Sequence, residues 1–127
     1  MPRVAHFEIN ADDPERVANF YKSIFGWEIK KWDGPIDYWM VMTGDKEEPG
    51  IDGGISMRSD AIGAREANSF VNTIEVNDID KFLTIITESG GSVYTPKMPI
   101  PTVGWIAYCK DTEGNLFGIM QNDKTAQ

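Results

Sequence analysis

Two stretches decide the fold: His6-Phe7-Glu8-Ile9-Asn10-Ala11-Asp12-Asp13 and, 65 residues further on, Val71-Asn72-Thr73-Ile74-Glu75-Val76-Asn77-Asp78. Both alternate in strand fashion. His6, Glu8 and Asn10 point one way and Phe7 and Ile9 the other, as successive side chains of an extended chain must. Both end on an aspartate. At the same offset Ile9 meets Ile74, Gly26 meets Gly91, and Gly53 meets Gly118. One order of elements, written twice at a fixed spacing, is the mark of a duplicated supersecondary unit.

A helix follows each stretch. Asp13 is an N-cap and Pro14 takes the first helical position, where its missing N–H costs nothing. Val17, Phe20, Tyr21, Ile24 and Phe25 then recur at helical spacing as one apolar stripe, and Gly26 closes the helix. In the second copy Asp78 caps, Ile79, Phe82, Leu83 and Ile86 form the stripe, and Gly90-Gly91 stops it. Three strands complete each copy. They are expected at 27–32, 38–43 and 53–57, then at 92–95, 105–109 and 116–121, separated by Gly, Pro, Asp and Asn clusters.

The chain reads as a single α+β domain over 1–127 with two tandem βαβββ repeats. Repeat 1 spans about 3–57, a solvated linker about 58–68, and repeat 2 about 69–121, with a polar tail at 122–127. Eight strands with two helices outside predict a concave sheet that encloses a cleft. The start, Met1-Pro2-Arg3-Val4, runs straight into a strand pattern, so no leader is expected, and no apolar run is long enough for a membrane span.

The net charge of −8 repels phosphate backbones and argues against a nucleic-acid partner. One cysteine, Cys109, allows no internal disulfide and suits a reducing cytoplasm. In a strand pattern it reads as a small packing residue rather than a nucleophile.

Three motifs carry a family resemblance over nearly the whole chain. They are His6-Phe7-Glu8-Ile9 with Asp12-Asp13, the helix from Asn19-Phe20-Tyr21 to Phe25-Gly26-Trp27, and the turn Asp111-Thr112-Glu113-Gly114-Asn115 with Leu116-Phe117-Gly118. In this order and spacing the chain resembles the vicinal oxygen chelate (glyoxalase/bleomycin-resistance/dioxygenase) superfamily, and within it a bacterial glyoxalase-like single-module group. The resemblance implies one divalent ion in the cleft, held by the first and last strand of each repeat. Carried over by position, those ligands fall on His6, Gly53, Val71 and Gly118. Glycine and valine offer no donor atom, and one imidazole does not make a site that needs about three protein ligands. No cofactor is therefore expected.

His6 is the sole histidine. It reads either as an acid/base or ligand-orienting group, with Glu8 on its face as partner, or as a partly buried histidine retained by hydrogen bonds. Trp39, Met40, Trp105, Tyr108 and Met120 join His6 as the expected lining of an apolar pocket for a small organic molecule. Alternation does not tell which strand face lines the cleft. Lys97-Met98-Pro99-Ile100-Pro101 reads as a stiff connection or a lid. The resemblance leaves three functional classes. The first is a metal-free small-molecule binder. The second is a glyoxalase-type lyase, isomerase or dioxygenase with an atypical or His-based site, and the third is an interaction module. It also implies a homodimer.

Overall fold

The computed structural model describes residues 2–58 and 70–127. Among these residues eight strands and two helices form an α+β fold with parallel and antiparallel pairs. The chain divides into two compact units: residues 6–70, and residues 71–127 with the N-terminal residues up to Ala5.

The first unit holds β1 (Arg3–Ala11) from His6 onward, α1 (Pro14–Phe25), β2 (Glu28–Lys31), β3 (Tyr38–Met42) and β4 (Gly53–Met57). Its strand order is β2-β3-β4-β1, with β1 parallel to β4 and the other pairs antiparallel. α1 starts as the sequence dictates. The Asp13 carboxylate accepts from the Arg16 N–H at 3.1 Å, and Pro14 follows. It stops at Gly26, whose φ of 70° lies in the left-handed region and whose N–H donates to the Lys22 carbonyl at 3.0 Å. Phe7, Ile9, Ala18, Ile29, Trp39, Val41 and Ile55 make the core, with Val17, Tyr21 and Trp27 packed against it.

The apolar stripe expected on α1 splits. Val17, Ala18 and Tyr21 pack inward, whereas Phe20, Ile24 and Phe25 stay 54%, 54% and 59% exposed. The five apolar positions span a wider arc of helix than the sheet beneath covers.

The second unit holds β5 (Phe70–Glu75), α2 (Ile79–Glu88), β6 (Ser92–Ile100), β7 (Gly104–Lys110) and β8 (Leu116–Asn122), in the order β5-β8-β7-β6. The Asp78 carboxylate caps α2 by accepting from the Lys81 N–H, and Gln121 Oε1 accepts from the Ile79 N–H at 2.9 Å. The helix is capped at Ser89 and followed by Gly90 (φ 96°), with the Gly91 N–H donating to the Ile86 carbonyl. Val76, Ile79, Ala107 and Ile119 form the core beside Phe82, Leu83, Ile86, Trp105 and Phe117. Cys109 is fully buried, and burial raises its thiol pKa, as suits a packing residue.

Two local expectations change. The Lys97–Pro101 stretch is neither lid nor connection, because β6 continues through it to Ile100. β6 lies at the end of the strand order of its unit and pairs with β7, so Pro96 and Pro99 occupy an edge position where a missing donor is tolerated, at the cost of register shifts near Thr95. The residues beyond Asn122 are not a free polar tail. Ala126 is 1% exposed, and its carbonyl accepts from the Thr102 N–H at 3.0 Å. Thr102 holds a φ of 66°, a strained conformation for a β-branched residue that this contact helps to fix. The linker expected at 58–68 lies outside the described residues, apart from Arg58. No helix among the described residues is long and apolar enough to cross a membrane.

Deleting residues 123–127 removes the Ala126 contact and the Asp123 carboxylate that accepts from Trp105 Nε1–H. The expected loss is about 2 kcal/mol in urea unfolding, from hydrogen bonds of roughly 1 kcal/mol each plus lost burial. An unchanged midpoint would mean the segment is a free tail after all.

Candidate functional site

Strand register sorts the side chains. In the first unit Phe7 pairs with Gly53 and Ile9 with Ile55, on the side covered by α1. Glu8 pairs with Gly54, which pairs in turn with Met40, while Asn10 pairs with Ser56, which pairs with Tyr38. His6, Glu8, Asn10, Tyr38, Met40, Gly54 and Ser56 therefore share the helix-free face, by the two-residue period of strands.

On this face His6 Nε2 and Tyr38 Oη lie 2.8 Å apart. The Trp32 ring stands edge-on to the Tyr38 ring, with centroids 6.5 Å apart. Ser56 Oγ–H donates to Glu8 Oε1 at 3.3 Å. Burial, assisted by the charge of Glu8, raises the Tyr38 pKa well above that of a free phenol. Burial also lowers the His6 pKa, with Asp52 opposing the shift. Both groups are consequently neutral at neutral pH. They meet either by the phenol O–H donating to Nε2 or by Nε2–H donating to the phenol oxygen. Such a pair can hydrogen-bond a ligand or hold a proton.

Gly54 makes this geometry possible. A Cβ at position 54 would fall inside the van der Waals envelope of the Tyr38 hydroxyl and ring. Gly53 has a different reason: a Cβ there would meet the Phe7 carbonyl and, at 2.7 Å, the Phe7 ring.

In the second unit Thr73 pairs with Gly118 and Glu75 with Met120, while Gly118 faces Tyr108 and Met120 faces Ile106 across to β7. Tyr108 and Met120 thus share that unit's helix-free face. Of the sequence-derived pocket residues, His6 and Met40 come together in one unit and Tyr108 and Met120 in the other. Trp39 and Trp105 stand on the helix-covered faces. The Trp39 Nε1–H donates to Glu15 Oε1 at 3.1 Å, and the Trp105 Nε1–H to Asp123 Oδ2 at 3.1 Å. Lys97 lies 4.7 Å from the Trp105 ring centroid. Tyr38, Gly54 and Ser56 were not anticipated. Ile55 signals Gly54 and Ser56, because its apolar side chain assigns both neighbours to the face opposite the core, whereas Tyr38 shows only through the pairing of β3 with β4.

A model of the Glyoxalase/Bleomycin resistance protein/Dioxygenase superfamily matches residues 3–119. The chain belongs to this superfamily. It is similar to a glyoxylase-like domain-containing protein of Didymella fabae, with 29% identity over 92% of this chain and 91% of that one. Among solved structures, a hypothetical protein from Bacillus halodurans C-125 shares the fold at a TM-score of 0.72 and 13% identity, over 98% of this chain and 97% of the other. A methylmalonyl-CoA epimerase in complex with methylmalonyl-CoA and NH4+ matches at 0.68 and 16% identity, over 100% and 99%. A superfamily member from Vibrio splendidus 12B01 matches at 0.67 and 16%, over 96% and 100%.

The superfamily's metal positions can be tested against the register. Ile9 pairs with Ile55 and Ile74 with Ile119, so the counterpart of Gly118 is Gly54, one residue beyond the Gly53 expected from a constant offset. Carried over on this register, the positions that the resemblance implies are His6, Gly54, Val71 and Gly118, and glycine and valine carry no donor atom. Among the described residues no three His, Cys, Asp or Glu side chains are grouped to hold a metal ion. The residues present do not fit the superfamily's metal centre.

As His6 has a folded-state pKa below 6.5, its contribution to stability is full above that value and is lost as pH falls toward the folded pKa. The stability difference between wild type and His6→Gln should therefore narrow from about pH 7.5 to about pH 5. A titration of the sole histidine by NMR should give a midpoint below 6.5. A flat difference with a midpoint at or above 6.5 would contradict the burial described.

Proposed function

We propose that this superfamily member binds a small organic molecule without the divalent metal centre. The observation that carries the reading is the His6–Tyr38 pair over Gly54, which puts two neutral hydrogen-bonding groups beside Met40 where a metal-dependent site would need a donor. The missing donors at Val71 and Gly118 support it. One further observation favours a second reading. A buried imidazole held neutral next to a phenol is also suited to metal-free proton transfer, as in a glyoxalase-type lyase or isomerase. Such an enzyme would use His6 as the base, with Glu8 and Ser56 shaping its surroundings.

We further propose a cytoplasmic homodimer. The buried lone thiol of Cys109 is consistent with a reducing compartment. The exposed side chains of Phe20, Ile24 and Phe25 form an apolar surface of the sort that subunits cover.

Thermal-shift screening tests the binding reading. Catechols, cationic aromatics and thioether adducts are screened with and without EDTA. At a hundredfold excess over Kd a bound ligand stabilises by about 2.7 kcal/mol, a shift of several degrees. The expected result is a saturable shift that EDTA leaves unchanged and His6→Ala weakens. Shifts that appear only on adding Ni2+ or Mn2+ would overturn the reading. Light scattering on the same sample should give the dimer mass at micromolar concentration, and a monomer mass would refute the dimer.

A further inference from the structure

We propose that Tyr38 acts as a plug: its hydroxyl fills the space that a side chain at position 54 would need, and it commits the His6 imidazole to a hydrogen bond in place of a metal bond. The proposal rests on the metal-free reading of this site and on no particular ligand.

The first support is the reason for glycine at 54. Gly26, Gly50, Gly90 and Gly114 have positive φ angles, so their backbone conformations account for them. Gly54 is not among them, which leaves space as what glycine supplies there. That space is occupied, since a Cβ at 54 would overlap Tyr38 Oη and Cζ and stand 2.6 Å from Cε2. Stiff ring atoms are involved as well as the hydroxyl, so a small rotation does not relieve the overlap.

The second support is how Tyr38 is held. It pairs with Ser56, two residues along β4, and its ring leans back over position 54. Trp32 meets its ring edge-on, and His6 Nε2 meets its hydroxyl at 2.8 Å. The only imidazole in the chain is thereby engaged at Nε2. The third support is a milder version in the other unit. A Cβ at Gly118 would stand 2.9 Å from Thr73 Oγ1 and 3.4 Å from Tyr108 Cε1. A tyrosine of the neighbouring strand lies against the glycine in both units, more tightly at Gly54.

It follows that a donor at position 54 does not by itself recreate a metal-binding pair with His6, and that Tyr38 must also go. Ni2+ alone is the probe, titrated calorimetrically into the full chain as wild type, Tyr38→Ala, Gly54→His and the double variant. The double variant should bind Ni2+ at least about tenfold more tightly than any of the other three. Equal affinity for Gly54→His alone and the double variant would overturn the plug. No gain in the double variant would overturn the placement of position 54 beside His6. Tight stoichiometric binding by wild type would instead overturn the metal-free reading, so the two failures are distinguishable.

Gly54→His alone is expected to be destabilised, so a milder variant gives an independent readout. Tyr38→Phe keeps the ring and removes the hydroxyl. The 15N resonance of His6 Nε2 should then move to the position of an imidazole freed from the phenol. An unmoved resonance would overturn the proposal.

Discussion

The contact between Tyr38 and His6 over a glycine sets the character of the helix-free face in the first unit. It needs three things at once. Parallel pairing of β1 and β4 puts Glu8 opposite Gly54, and antiparallel pairing of β3 and β4 puts Tyr38 opposite Ser56. The missing Cβ at position 54 lets the tyrosine lean across. With the two groups buried together, desolvation keeps the phenol protonated and the imidazole uncharged. What His6 and Tyr38 offer on this face is hydrogen bonding between neutral groups, beside the charge of Glu8.

The helix-covered faces explain the rest of the aromatic content. Trp39 and Trp105 contribute apolar ring area beneath α1 and α2, and each finds a carboxylate for its indole N–H. Buried indole without such a partner would lose on the order of 1–3 kcal/mol. Glu15 and Asp123 therefore serve packing. Aromatic residues on a strand signalled burial correctly but not the side on which they are buried.

Much of the fold was legible because its determinants are local. Asp13-Pro14 and Asp78 announce helix starts, Gly26 and Gly90-Gly91 announce ends, and the recurrence of Ile9 at Ile74 announces the duplication. The site was less legible because its determinants are non-local. A constant offset of 65 holds for β1 and β5 but slips by one residue at β4 and β8, which hid Gly54 behind Gly53. Tyr38 passed for one more strand aromatic, since only pairing with β4 reveals that it reaches His6. The extension of β6 through two prolines and the return of Ala126 to Thr102 depend likewise on neighbours distant in sequence.

Membership of the superfamily supplies the scaffold, and the side chains on it decide what it can hold. A double-mutant cycle between Gly54→Ala and Tyr38→Ala, read by urea unfolding, tests the central contact most directly. Adding the methyl should cost about 1–3 kcal/mol with Tyr38 present and much less once it is removed, a coupling of about 1 kcal/mol or more. An equal cost in both backgrounds would show that Tyr38 does not occupy the place of a side chain at position 54.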